Sequence, residues 1–138
     1  MNKRTFIVED SITVRMDLRE ALEDAGFDCV ECASLAQARA ALAEGVPALV
    51  LLDNQLPDGD GGAWLPELRA APQGSECVVL ILSNASQAGD RLRGIAHGAD
   101  EYVGKPYDRV YVIDRARELV RQRQARVAAP SRMWPACC

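Results

Sequence analysis

The sequence predicts an α/β protein built on a doubly wound, five-stranded parallel sheet. Apolar runs of strand length alternate along the chain with stretches of helical pattern, and glycines stand where these helices give way to strands. Strict alternation of this kind implies a parallel sheet, because right-handed crossovers place the helices on both of its faces. With 138 residues and 49% hydrophobic content, the chain is expected to form one domain with a substantial core.

Five βα units follow one another. The predicted strands are residues 4–8, 27–32, 49–53, 77–82 and 101–103, and the predicted helices are 12–25, 35–44, 63–70, about 87–97 and 108–126. Ser11 and Ser34 precede the first two helices as N-caps. The third and fourth strands are wholly apolar and are expected to be buried on both faces, whereas the second alternates and is expected at an edge.

Glycines mark three of the predicted helix ends. Gly26, Gly45 and Gly98 each follow a helix and precede a strand, so we expect each to adopt a left-handed backbone conformation. Residues 127–138 have no periodic pattern and contain two prolines, so we predict a domain over 1–126 and a tail or linker after it.

Charge and apolar patterning argue against several classes of protein. The net charge of −4 gives no general reason to expect nucleic acid or an anionic membrane as partner. No apolar run approaches the ~18 residues of a membrane span, and the first residues lack a signal-peptide core. A cytoplasmic protein is therefore expected. The arginines of the last helix are interpreted as a solvated face.

The cysteines are interpreted as core residues. Cys29 and Cys32 have the spacing of metal ligands, but residues three apart on a strand point to opposite faces. Buried thiols usually behave as small apolar side chains. Cys137 and Cys138 are expected to lie in an exposed, disordered end.

Polar residues stand at the carboxyl ends of four predicted strands. These residues are Glu9 and Asp10, Asp53, Ser83, and Lys105. In an open α/β sheet such ends line one crevice, where binding sites form. Three carboxylates there would repel one another unless a cation lay between them. An all-oxygen ligand set with few protein ligands suits Mg²⁺.

The two remaining strand-end residues suit a phosphoryl group. The Lys105 ammonium and the Ser83 hydroxyl can donate hydrogen bonds to phosphate oxygens. A carboxylate beside a metal, a lysine and a hydroxyl makes a phosphoryl-acceptor site. Taken singly, each residue also has a structural interpretation, such as a helix cap for Glu9 or a turn for Ser83. His97 is interpreted as structural.

These motifs resemble the receiver domain of two-component response regulators over about residues 3–122. The matching segments are Val8-Glu9-Asp10-Ser11, Asp53-x-x-Leu56-Pro57-Asp58-x-Asp60-Gly61, Ser83, and Gly98-Ala99-Asp100-Glu101-Tyr102-Val103-Gly104-Lys105-Pro106-Tyr107. The spacing from Asp53 to Ser83 and to Lys105 also matches the family. The resemblance implies a flavodoxin-like (βα)5 fold with strand order 2-1-3-4-5, and a phosphoacceptor in a phosphorelay rather than an enzyme.

The resemblance also implies roles for single residues. Asp53 would take a phosphoryl group from a phosphohistidine on a sensor histidine kinase or phosphotransfer protein, forming an aspartyl phosphate. Mg²⁺, for which Mn²⁺ could substitute, would be bound by Asp10, Asp53 and the backbone carbonyl of Gln55, and Glu9 would reach it through water. Ser83, Asn84 and Lys105 would surround the phosphoryl group.

Further implied features concern the conformational switch. The Lys105–Pro106 peptide is expected to be cis. Ser83 and Tyr102 would move together on phosphorylation and change the surface of the fourth helix, fifth strand and fifth helix, through which a homodimer could form. Asn84 is larger than is usual for its position, so it could slow small phosphodonors.

Other classes fit less well or stay open. A phosphatase of the haloacid dehalogenase type would show Asp-x-Asp-x-Thr, but Gln55 and Pro57 break that pattern. A nucleotide-binding Rossmann domain would need a glycine-rich turn after the first strand, and residues 9–13 contain no glycine. A receiver-like interaction module that works without phosphorylation stays open because of Asn84. The junction after Lys105 resembles receivers in hybrid sensor kinases, and the output partner is not fixed by the sequence.

Overall fold

The structure, a computed structural model, describes residues 2–83 and 98–128. A parallel sheet contains β1 (Arg4–Val8), β2 (Asp28–Cys32), β3 (Leu49–Asp53), β4 (Val78–Ser83) and β5 (Glu101–Gly104). Their spatial order, β2-β1-β3-β4-β5, confirms the predicted one. Asn84, the predicted helix at 87–97 with His97, and the chain from 129 onward with Cys137 and Cys138 lie outside the described residues.

Helices cover both faces of the sheet. They are α1 (Ile12–Asp24), α2 (Leu35–Glu44), α3 (Gly61–Ala70) and a C-terminal helix (Arg109–Ala128). The predicted caps are present, since Ser11 Oγ accepts from the Val14 N–H and Ser34 Oγ accepts from the Gln37 N–H. None of the helices among the described residues is long and apolar enough to cross a membrane.

Two helix boundaries differ from the prediction by two residues. Helix α3 begins at Gly61 rather than at Ala63, because the Asp60 carboxylate caps it by accepting the Gly62 N–H at 2.9 Å. The predicted turn before it also contains a short antiparallel ribbon, Gln55–Leu56 against Gly59–Asp60. The C-terminal helix continues to Ala128, two residues beyond its predicted end.

The core lies in two layers, one on each face of the sheet. Alternate residues of the central strands point to opposite faces, so both layers are built from the same strands. Val50 and Leu52 pack on the face covered by α2 and α3, and Leu49 and Leu51 pack on the face covered by α1 and the C-terminal helix. Every residue of β3 is buried, as predicted. Strand β2 forms an edge of the sheet and is mostly half-exposed, also as predicted.

The expected left-handed glycines occur at two of three positions. Gly26 and Gly98 have φ of 95° and 108°, which favour glycine. The prediction for Gly45 is wrong, because its φ of 162° is extended backbone. The Arg4 side chain explains the difference: its guanidinium donates to the carbonyl oxygens of Gly45 at 3.2 Å and of Ala41 at 3.0 Å. These bonds satisfy the helix end without a left-handed turn.

Among the described residues, Cys32 and Cys77 are buried in the core and Cys29 is partly buried against it. Cys29 packs on the α1 side of the sheet and Cys32 on the α2 side, so their thiols point apart. Burial raises the pKa of both thiols to about 11 and that of Cys77 to about 12. A metal site at Cys29 and Cys32 is therefore excluded by their placement.

Candidate functional site

Asp53 is the last residue of β3 and is 6% exposed. Its Oδ1 accepts the Gln55 N–H at 3.2 Å, which places the backbone of Gln55 beside the carboxylate. Gly61 approaches from the other side, where an added Cβ would lie 2.1 Å from the Asp53 carbonyl oxygen. Only glycine fits there without a backbone shift, so this contact fixes the turn that follows the strand.

The loop after Asp53 also caps a neighbouring helix. The carboxylate of Asp58 accepts the N–H groups of Leu35 and Ala36, each at 2.9 Å, at the start of α2. These two backbone bonds lower the pKa of Asp58, so the carboxylate stays charged at the positive end of the helix dipole. The loop after Asp53 and α2 are thus joined at the helix terminus.

Glu9 and Asp10 follow β1 at the same edge of the sheet. The Glu9 N–H donates to the Cys32 carbonyl at 2.9 Å, which extends the pairing of β1 with β2 by one residue. Glu9 is 2% exposed, and its Oε2 accepts the Ser11 N–H at 3.0 Å. Asp10 is exposed.

The three carboxylates meet in one cluster. Glu9, Asp10 and Asp53 each offer an oxygen, and these oxygens all lie within 4.8 Å of one another. Lys105 Nζ lies 2.8 Å from Glu9 Oε1 and 3.5 Å from Asp53 Oδ2. Within the part of the chain that the structure describes, this ammonium contacts two of the three clustered carboxylates, so negative charge is left in excess.

Lys105 stays positively charged in this setting. Burial alone would lower the pKa of its ammonium, but the hydrogen bond to Glu9 and the charge of Asp53 outweigh burial and raise the pKa. Lys105 therefore remains protonated at neutral pH. The all-oxygen donor set and the excess negative charge fit a hard divalent cation such as Mg²⁺.

Hydrogen bonds hold the segment around Lys105 at two points. Its backbone N–H donates to the Ser83 carbonyl at 2.7 Å, and the Lys105–Pro106 peptide bond is cis. The next residue, Tyr107, donates its hydroxyl to Asp17 of α1 at 2.7 Å, and Arg109 donates to the same carboxylate at 2.8 Å. The loop that carries Lys105 is therefore bound to α1.

Ser83 and Tyr102 lie on neighbouring strands. Ser83 is the last residue of β4, is fully buried, and is paired in register with Gly104. Tyr102 stands two residues before Gly104, so both side chains belong to the same face of the sheet. Tyr102 is 8% exposed and packs in the layer beneath α2 and α3.

One basic residue of the site is marked by no sequence motif. Arg15 of α1 donates from Nη1 to the backbone carbonyls of Glu9 at 2.8 Å and Asp10 at 3.2 Å. The one sequence signal that could have indicated Arg15 is its position, one helical turn after the N-cap Ser11. A side chain that reaches back to its own loop depends on the tertiary structure, which the sequence pattern does not show.

Fold and site together define a class of protein: a flavodoxin-like α/β domain with an acidic cluster and a lysine at the carboxyl ends of its strands. A family model described as the response regulator receiver domain matches residues 5–117. The chain belongs to this family, as the sequence motifs predicted. It is a receiver domain of the kind found in two-component response regulators.

Curated relatives agree with this assignment. The transcriptional activator protein IrlR of Burkholderia pseudomallei (strain 1026b) is 40% identical over 125 residues, which cover 89% of this chain and 52% of IrlR. The KDP operon transcriptional regulatory protein KdpE of Escherichia coli (strain K12) is 36% identical over 123 residues, covering 89% and 53%. The chain thus spans about half the length of the curated relatives it matches.

Solved structures show the same fold. The signal receiver domain of a signal transduction histidine kinase from Syntrophus aciditrophicus is 28% identical, with a TM-score of 0.78 over 87% of this chain and 91% of that chain. A CheY-like receiver domain protein from Methanospirillum hungatei JF-1 has a TM-score of 0.82 over 91% and 98% of the chains. At 20% identity, the second likeness supports the fold alone.

Proposed function

We propose that this chain is a phosphoacceptor in a two-component phosphorelay and that Asp53 accepts the phosphoryl group. The observation that carries the proposal is the position of the Asp53 carboxylate, which stands at a strand end between Glu9, Asp10 and the Lys105 ammonium. A buried carboxylate beside a fixed positive charge is suited to attack an electrophilic phosphorus.

The transfer is a simple exchange of bonds. One Asp53 carboxylate oxygen forms a bond to phosphorus while the phosphorus–nitrogen bond of a phosphohistidine breaks. The electron pair returns to the imidazole ring of the donor, which takes a proton from solvent. A sensor histidine kinase or phosphotransfer protein would supply the phosphohistidine. The chain acts as the acceptor of this group and not as an enzyme with a separate substrate.

A cation held by the acidic cluster and the Lys105 ammonium would both neutralise negative charge on the phosphoryl group. Mg²⁺, or Mn²⁺ in its place, would be held by Glu9, Asp10, Asp53 and the Gln55 carbonyl, and would supply positive charge at the phosphoryl oxygens. The Lys105 ammonium, already in contact with Glu9 and Asp53, would donate to a phosphoryl oxygen.

The readout would pass through Ser83 and Tyr102. A phosphoryl oxygen would draw the Ser83 hydroxyl toward it, and repacking of Tyr102 in the same layer would change the surface of β5, the C-terminal helix and the predicted helix at 87–97. Asn84 would lie next to the phosphoryl group. A homodimer through this surface is part of the proposal.

Neither nucleic acid nor a membrane is proposed as a direct partner of this domain, and a cytoplasmic location is proposed. IrlR and KdpE are named as transcriptional proteins, but the match leaves about half of their length uncovered. The alternative is a receiver-like interaction module that binds partners without phosphorylation.

Intact mass spectrometry after incubation with acetyl phosphate tests the proposal. We expect one phosphoryl increment in the presence of Mg²⁺, no increment with EDTA, and none for Asp53→Asn. Asp28→Asn, which removes an exposed carboxylate at the start of β2, is the matched control and keeps the increment.

A phosphorylated histidine kinase replaces acetyl phosphate in a second arm, because Asn84 could exclude the small donor. Transfer from the kinase alone would still support the proposal. The absence of transfer from every kinase tested, with the protein folded, would favour the interaction module.

A further inference from the structure

Arg15 makes three polar contacts, one with Glu31 and two with the backbone of Glu9 and Asp10. Its side chain is 13% exposed, and its Nε lies 3.1 Å from Glu31 Oε1. Its Nη1 donates to two successive backbone carbonyls, those of Glu9 at 2.8 Å and Asp10 at 3.2 Å. The planar guanidinium can serve these acceptors at once because its donors stand in a fixed fork.

Glu31 anchors this guanidinium from strand β2. One of its oxygens receives Arg15, and the other lies 2.7 Å from Arg19 Nη1. The hydrogen bond from Arg19 is the main reason why the pKa of Glu31 falls below its usual value; burial opposes it and Arg15 adds to it. Glu31 is therefore a carboxylate at neutral pH, and it holds Arg15 by charge as well as by hydrogen bonding.

The two carbonyls that Arg15 binds flank the Cα of Asp10. Fixing them fixes the peptide planes before and after that residue, and so the direction in which the Asp10 side chain leaves the backbone. Glu9 has further support, because its carboxylate also bonds Ser11 N–H and Lys105. Asp10 is exposed, so its orientation depends most on the backbone that Arg15 holds.

We propose that Arg15, anchored by Glu31, is a positioning residue that aims the Glu9–Asp10 loop at a divalent cation. The inference rests on the proposed function, since it assigns a further residue to the same site. Arg15 itself touches neither the cation nor the phosphoryl group; it acts through the backbone of the ligands.

The sign of the effect separates positioning from simple charge. A guanidinium beside three carboxylates lowers the local attraction for cations, so if only its charge mattered, removing it would tighten Mg²⁺ binding. Positioning has the opposite consequence, because a loosened loop presents Asp10 less well and binding weakens.

Isothermal titration of Mg²⁺ into the folded domain, checked by circular dichroism, gives the first measurement. For Arg15→Met we expect affinity weaker by roughly 10-fold, the lower end of the range for residues that orient metal ligands. Arg15→Lys keeps the charge without the fork and is expected to fall in between. Arg19→Met is the matched control, because Arg19 also pairs with Glu31 but makes its other ion pair with Glu23 on α1; it keeps wild-type affinity.

Affinity of Arg15→Met equal to or tighter than wild type would overturn the inference. If Arg15→Met fails to fold, Glu31→Gln replaces it, since that variant loosens the anchor and keeps the side-chain volume. An effect of Glu31→Gln no larger than that of Arg19→Met would then count against positioning.

Amide hydrogen exchange without metal gives an independent readout. The Ser11 N–H, which bonds the Glu9 carboxylate, is expected to exchange faster in Arg15→Met than in Arg19→Met. If wild type bound no Mg²⁺, the metal part of the proposed function would fail, and exchange would still decide the positioning role. Equal exchange in the two variants would refute it.

Discussion

The two ends of the sheet handle charge in opposite ways. At the carboxyl ends of β1 and β3, three carboxylates cluster together, and two of them contact the Lys105 ammonium. At the amino ends of β4 and β5, a single carboxylate, Asp100, pairs with two guanidiniums, those of Arg69 and Arg123. These charge counts include only the residues that the structure describes, 2–83 and 98–128.

The pairing at the amino end extends to the backbone. Arg69 of α3 also donates to the carbonyls of Gly74, Cys77 and Gly98, and Asp100 Oδ2 accepts the Val79 N–H at 2.9 Å. Arg123 joins the C-terminal helix to the same group. Each of these three charged side chains bonds an opposite charge, and both guanidiniums also bond backbone carbonyls, so the group holds α3, the sheet and the C-terminal helix together.

The ionic group at the amino end joins elements of the fold, whereas the acidic cluster at the carboxyl end is a candidate binding site. The ion pairs and backbone hydrogen bonds of Asp100, Arg69 and Arg123 at the amino end stabilise the fold. Unmatched carboxylates at the other end cost stability and attract a cation. Mutations at the two ends are therefore expected to change stability in opposite directions.

The largest effect is expected at the amino end. Asp100→Ala leaves two partly buried guanidiniums without their carboxylate, so we expect the free energy of unfolding to fall by about 2–4 kcal/mol. Urea denaturation measures it. Asp114→Ala, at an exposed position of the C-terminal helix, is the control and is expected to change little. Equal losses in the two variants would remove the distinction between the two ends.

A smaller effect of opposite sign is expected in the acidic cluster. Asp10→Asn removes one of three like charges, so in EDTA we expect the domain to gain roughly 1 kcal/mol of stability after solvent screening. Thermal unfolding with and without Mg²⁺ measures it, and Mg²⁺ is expected to stabilise wild type more than the variant. A loss of stability in EDTA would show that the carboxylates are already matched.

The smallest effect concerns Glu31, which lies near the acidic cluster and forms ion pairs with Arg15 and Arg19. Because the folded pKa of Glu31 lies below its usual value of 4.5, its ion pairs stabilise the fold above that pH and are lost as pH falls through the folded pKa. Glu31→Gln is expected to lose less than about 1 kcal/mol at neutral pH. The difference from wild type shrinks below pH 4.5 in thermal scans; a constant difference would contradict the assignment.

Much of the fold follows from local pattern. Buried strands such as β3 are visible as uniform apolar runs, and Ser11 and Ser34 act as the caps that their positions indicate. Gly45 shows the limit of such signals: Arg4, distant in sequence, satisfies the end of α2, so the helix needs no left-handed residue.

The candidate site shows the same limit. Glu9, Asp53 and Lys105 come together because parallel strands bring their ends to one edge, which the order of the motifs predicts. The contacts that orient them are not predictable in this way. Arg15 reaches back to its own loop and at the same time pairs with Glu31 on the neighbouring strand, a contact distant in sequence.

The bonds of Asp58 to the start of α2 bear on how receivers can be recombined. A chimera that exchanges only the segment after Asp53 would bring a new side chain to an unchanged helix terminus, and the Leu35 and Ala36 amides could lose their acceptor. The smallest segment that can be exchanged is therefore the loop after Asp53 together with the first turn of α2. These two segments are distant in sequence and must be exchanged together.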